Sequence, residues 1–255
     1  MTAYADQQPK AVNYAFANYL ESGIYRSSEH TAAVASIPLS FNLKKGDDYS
    51  VALRLPVSLG FFNYSWEQLP ALDFPQSLGT LTVTPGIAYK RQLSPRWKME
   101  SYLDLGFGHN FSDNTNVGIL SVGLSGLYSF DIPRYTPIWV NRFYSAGYRN
   151  MHSGRTDYFS AFKTGIESGL GMGFHAFNRR IDPKVFTAVH WFFSQEQHSK
   201  RMFHTLLHDS TIETGFSLAF SRPVGIGPIA FDHLGVSYSR VDHDDIWRLF
   251  FSFAL

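Results

Sequence analysis

The chain has no cysteine. That absence excludes disulfide frameworks, thiolate metal sites and cysteine nucleophiles. It also has no stretch approaching the ~18–20 consecutive apolar residues that a membrane helix needs, and its mean hydropathy is slightly polar at −0.15. Helical membrane proteins are therefore excluded. Neither sign of charge dominates: 22 Lys and Arg against 21 Asp and Glu leave a formal net charge of +1 over 255 residues. With no basic block or acidic tail, nothing electrostatic points to nucleic acid.

What the chain does have is aromatic residues, at 16% of the sequence. It also has apolar residues in strict alternation. The last ten residues, IWRLFFSFAL, put Trp247, Leu249, Phe251, Phe253 and Leu255 on one side of an extended chain. Arg248, Ser252 and Ala254 fall on the other, with Phe250 among them. A stripe of five large apolar groups needs a covering layer, and lipid is one that suits a wall strand of ~9–11 residues.

The same pattern repeats along the chain. Val51, Leu53, Leu55, Val57, Leu59 and Phe61 oppose Ser50, Ala52, Arg54, Ser58 and Gly60. Met99, Leu103, Leu105 and Phe107 oppose Lys98, Glu100, Tyr102 and Asp104. Phe162, Ile166, Leu170, Met172 and Phe174 oppose Lys163, Gly165, Glu167 and a row of glycines through Gly173, which reads as one long strand with sharp curvature or a close approach inside. A following strand over Val185 to Ser194 turns His190 inward, and the next sets Ile212, Thr214, Phe216, Leu218 and Phe220 against Glu213 and Ser217. The facing of Ile138 to Tyr148 stays open, because Arg142 shares a parity with Ile138, Val140 and Tyr144. Residues 11–25 fit either a first strand or a short lumenal helix.

The reading is an all-β, transmembrane, antiparallel up-and-down barrel of twelve strands, with residues 1–10 as a flexible segment and 11–255 as the barrel. The connections support it. One set is short and marked by Pro or Gly, and several of the other set are long and polar, as in outer-membrane barrels with short periplasmic turns and long extracellular loops. Pro38, Pro56 and Pro85 fall inside proposed strands, where each removes a ladder donor, so a bulge is expected at each. Met1 to Lys10 is polar and carries no export signal. An exported barrel needs one, so the expectation is a chain that starts near the mature end behind an added Met1.

The stretches TVTPGIAYKRQLSPRWKMESYLDLGFGHNFSD (Thr82 to Asp113), FYSAGYRN (Phe143 to Asn150) and DHLGVSYSRVDHDDIWRLFFSFAL (Asp232 to Leu255) resemble the solitary outer-membrane autotransporter β-barrel family. These are translocator-like barrels without a passenger. The resemblance implies a twelve-stranded barrel inserted by the outer-membrane assembly machinery. Such proteins usually end in Phe; this chain ends in Leu255 and keeps Phe251 and Phe253 at the aromatic spacing.

Parity assigns Arg54, Lys98, Glu100, Asp104, Lys163, Glu167, His190, Glu213 and Arg248 to the lumen. They either line a polar pore or pair across a filled interior, with Glu213 or Glu167 as the partner of Arg248. A catalytic alternative is a lipid hydrolase on His208 and Ser210, two apart and so on one side of a strand. It has no third partner, and His and Ser at this spacing arise easily by chance. His109 and Ser112 have odd spacing and would point apart on a strand. His198, His204 and His208 share one polar loop, which is an ordinary place for histidine and a weak case for a metal site. No cofactor is expected. The five tryptophans, Trp66, Trp97, Trp139, Trp191 and Trp247, lie near strand ends, where interfacial anchoring explains them. The expected partners are outer-membrane lipid, lipopolysaccharide and the assembly machinery, in the outer membrane of a Gram-negative bacterium. The expected function is a passive pore or translocator-like barrel with a partly occupied lumen, against a lipid hydrolase or a non-conducting structural or adhesive barrel.

Overall fold

The computed structural model describes residues 23–26, 31–62, 79–111, 114–176, 178–193, 210–226, 229–241 and 244–250. These form fourteen strands in one antiparallel sheet. In chain order they are β1 (Gly23–Arg26), β2 (Thr31–Lys45), β3 (Tyr49–Phe62), β4 (Thr80–Val83), β5 (Gly86–Gln92), β6 (Trp97–Asn110) and β7 (Thr115–Ser129). There follow β8 (Ile138–Asn150), β9 (Thr156–Gly169), β10 (Phe174–Ala176), β11 (Arg179–Phe193), β12 (Ser210–Ile226), β13 (Ile229–Val241) and β14 (Asp244–Phe250).

Pairing follows the chain and returns on itself. Each long strand bonds its sequence neighbours, β4 and β5 together bridge β3 to β6, and β9 pairs with β11 past the short β10. β14 then pairs with β1, Gly23 opposite Phe250. The turns 46–48, 93–96 and 130–137 lie at one end of the wall, the near end, and the turn 151–155 lies at the far end.

Register also reveals a slope. One outward row runs Trp97, Tyr128, Trp139, Ile166, Thr187, Thr214, Tyr238, Trp247, each residue opposite the next. It starts on the first residue of β6 at the near end and finishes on the fourth residue of β14, toward the far end. Strands must be staggered in this way for a sheet to curl into a barrel.

Polarity is inverted relative to a water-soluble sandwich. The outward residues Leu103, Leu105, Phe107, Leu120, Leu124 and Phe143 are all exposed, while Asp104, Lys163, Glu167, Glu213 and Arg248 are buried. Inside, Val140, Phe186, Ala188 and Phe250 form one apolar cluster, with Leu127 and Ile138 against it. Two rings settle over glycines: a Cβ on Gly215 would meet the Phe186 ring, and one on Gly235 would meet the Phe250 ring.

Four expectations need correction. The long strand expected to reach Phe174 ends at Gly169; Gly171 has φ +69° in the turn that follows, so Leu170, Gly171, Met172 and Gly173 are outside the ladder. The strand expected from Val185 begins at Arg179 and carries Pro183 within it. No bulge forms at Pro38 or Pro56, which are directly opposite each other in continuous register; the shift lies between Asn42 and Lys44. The Thr84 amide donates to the Pro56 carbonyl at 3.1 Å. Pro56 therefore turns its backbone polar groups away from β2, and the facing prolines need no N–H between them. Pro85 breaks its strand into β4 and β5 instead of bulging it. Leu105 N–H donates to the Pro85 carbonyl at 2.9 Å, but neither Pro85 nor Pro56 has an N–H to return, so two donors are lost at one point.

The open facing of Ile138 to Tyr148 resolves with Val140, Tyr144 and Ala146 buried and Trp139 and Phe143 exposed. Residues 23–26 are strand, whereas 11–22 lie outside the described residues, as do the aromatic positions Phe251 and Phe253 and the terminal Leu255.

Candidate functional site, the buried polar interior

Glu213 is the hub of the interior. Its parity on β12 turns it inward, and its direct neighbours in register are small, Ala188 on β11 and Ser239 on β13. That leaves room for longer side chains to reach it diagonally. Ser237 Oγ donates to Glu213 Oε1 at 2.5 Å, Arg248 Nη1 donates to the same oxygen at 3.1 Å, and His190 Nε2 lies 3.1 Å from Oε2. The side chains of Glu213, Arg248 and His190 are all at most a tenth exposed. The Arg248 guanidinium also lies 5.0 Å from the centre of the Phe250 ring, which is wholly buried.

A basic row runs beside this hub. Arg142, Lys163 and His190 are directly opposite one another on β8, β9 and β11. The Arg142 and Lys163 charges so placed repel, and the buried Glu213 carboxylate nearby offsets them. Arg142 Nε also donates to Ser125 Oγ at 3.2 Å. Farther toward the near end, Lys184 Nζ meets the fully buried Glu167 at 2.6 Å.

The other side of the interior is separately paired. Arg54 Nη2 is 3.4 Å from Asp104 Oδ2, and its guanidinium stacks 4.1 Å from the centre of the Tyr102 ring. Lys98 and Lys90 converge on Glu100 at 3.5 and 3.4 Å near the end of the wall.

The arrangement joins most of the inward residues expected from sequence into ion pairs and small networks. Arg248 takes Glu213, and Glu167 takes Lys184. Lys184 escapes the sequence reading because its strand is expected to begin only at Val185, six residues after the observed Arg179; parity counted back from His190 turns it inward. Arg142 stays unassigned in the sequence because the facing of its strand is open there. Ser237 is buried beside Glu213, and nothing in the sequence marks it as a ligand of that carboxylate.

Nucleophilic catalysis does not fit this geometry. Ser237 and His190 both bond Glu213, so the carboxylate stands in the middle, where a nucleophile would need the histidine beside it. Among the described residues no three His, Cys, Asp or Glu side chains are grouped to hold a metal ion. On the outer face, Ser210 is exposed at the start of β12, opposite Trp191, while His208 lies outside the described residues. His109 Nδ1 sits 2.8 Å from Asn116 Oδ1 on the outer face, and Ser112 too lies outside the described residues.

No family model matches the chain, and no curated protein matches it. Among solved structures, the β domain of the Bordetella autotransporter BrkA is similar over 89% of this chain and 93% of that one, with a TM-score of 0.55 and 12% identity. The chain has an autotransporter-type β-barrel fold.

Proposed function

We propose that this autotransporter-type fold is a closed barrel of twelve wall strands, counting β4 and β5 as one and leaving β10 aside, and that it spans a bacterial outer membrane. One observation carries the reading: large apolar side chains are exposed on the outside while charged ones are buried within. Water would reverse that distribution, whereas lipid outside a polar interior favours it. The short connections at the near end would face the periplasm, with lipopolysaccharide around the opposite rim.

The role we infer is passive, a pore or translocator-like barrel whose lumen is partly occupied by its own side chains. The Glu213 network and the Phe186–Phe250 contact, ring centres 5.7 Å apart, support an occupied lumen. Planar-bilayer recording tests it. Wild type should give small or rare channel events, and the double variant Phe186→Ala/Phe250→Ala larger ones. A large steady conductance in wild type contradicts the occupied lumen, and silence in both proteins contradicts a pore.

A lipid hydrolase on His208 and Ser210 remains the rival from another class, favoured by the outward exposure of Ser210. Equal lipid hydrolysis by wild type and Ser210→Ala would remove it.

A further inference from the structure

Cations and aromatic rings alternate around the outer edge of the near end, from β2 to β7. Lys44 Nζ lies 5.7 Å from the centre of the Tyr49 ring, and Tyr49 is directly opposite Arg91. Parity with Ile87, which is exposed, turns Arg91 outward. Further round, Trp97 packs on Tyr128 with ring centres 5.0 Å apart, and Arg96 precedes Trp97 in the turn 93–96. Below these groups the outer wall is apolar, with Leu53, Ile87 and Leu103 exposed.

Aromatic rings at the edge of an apolar band sit at headgroup depth. Cations interleaved with them therefore sit at the level of lipid phosphates. Their present counterions are weakly held: Arg91 to Asp48 at 3.6 Å and Arg96 to Asp131 at 3.0 Å, each pair at least half exposed on both sides. Exposed pairs of this kind contribute little, so a lipid phosphate can replace either acid. Lys44 adds a third cation to the same edge.

We propose that this rim is a binding surface for the headgroups of anionic phospholipids in the leaflet facing the near end. The proposal rests on the membrane-barrel reading above. Headgroup attraction is roughly fivefold per cation at low ionic strength and falls within a Debye length. The rim should therefore select anionic over zwitterionic lipid severalfold, and salt should erase the selection. An acidic protein would suit the charges but leaves the interleaved rings unexplained.

The test uses the full chain folded into phosphatidylcholine vesicles containing a minor share of phosphatidylglycerol. Spin-labelled forms of both lipids report how much of each is held at the protein surface. Wild type should hold phosphatidylglycerol severalfold more strongly, with the preference lost at high salt and in Lys44→Gln/Arg91→Gln/Arg96→Gln. Arg149→Gln/Arg155→Gln, at the far end, should keep it. Equal retention of both lipids by folded wild type overturns the proposal and leaves the barrel reading standing; so does a preference unchanged in the triple variant, the outcome expected if the rim serves an acidic protein. If the triple variant does not fold, the salt dependence of wild type and the single variant Arg91→Gln decide the matter. Protein that inserts into neither kind of vesicle overturns the barrel reading and the proposal together.

Discussion

Arg248 on the last described strand and Glu213 two strands back stand 3.1 Å apart inside the wall, each with a side chain less than a tenth exposed. Removing one buried charge strands the other, at a cost of ~3–5 kcal/mol. Glu213→Leu should therefore destabilise the barrel by about that amount in urea unfolding from lipid vesicles. Glu213→Leu/Arg248→Met should recover part of the loss, with a coupling of ~1–3 kcal/mol in the double-mutant cycle. Additive effects would mean that the pair is geometry without energy.

The glycines beneath the inward rings should differ in how they tolerate a methyl group. At Gly123 the three atoms nearest an added Cβ all belong to the Tyr102 side chain, which can give way where backbone cannot. At Gly235 it meets the Phe250 ring and also the Phe216 carbonyl oxygen at 2.7 Å, which is held in the sheet. Gly235→Ala should cost ~1–3 kcal/mol of overpacking and Gly123→Ala distinctly less. Thermal unfolding of the two variants checks the order.

A hydroxyl on the outer wall gives a third test. Trp139 Nε1 donates to Thr164 Oγ1 at 2.9 Å, and Thr164 Oγ1 donates to Asn141 Oδ1 at 2.7 Å. Where lipid replaces water, neither partner finds a substitute. Thr164→Val should cost ~1–2 kcal/mol in lipid vesicles.

Much of this arrangement was legible because the side-chain period of a strand is two and most strands carry small or charged groups against large apolar ones. Parity alone turns Glu213, Arg248 and Asp104 inward, and all three are buried. The pattern failed where polarity reverses locally. On β8 the inner face carries Val140 and Tyr144, packed on the apolar part of the interior, and the outer face carries Asn141 and Ser145, which bond Thr164 and Ser160 across the pair. Both parities therefore read as mixed. The glycines from 165 to 173 alternated well enough to imitate a continuing strand, although the positive φ of Gly171 ends it. Proline positions were visible, but their effect depends on which neighbour each backbone group faces, and that is a property of register between strands.

Leu103 tests the central claim, that the outer face meets lipid. It lies near the middle of β6, is 57% exposed and is flanked in register by Ile87 and Val122, also exposed. An exposed leucine facing water accepts arginine within about 0.5 kcal/mol. One facing the middle of a bilayer does not, and the penalty is ~2–4 kcal/mol. The decisive measurement is the unfolding free energy of Leu103→Arg against wild type in phospholipid vesicles. The barrel account predicts a loss in the lipid range, and a change near zero in folded protein would contradict it.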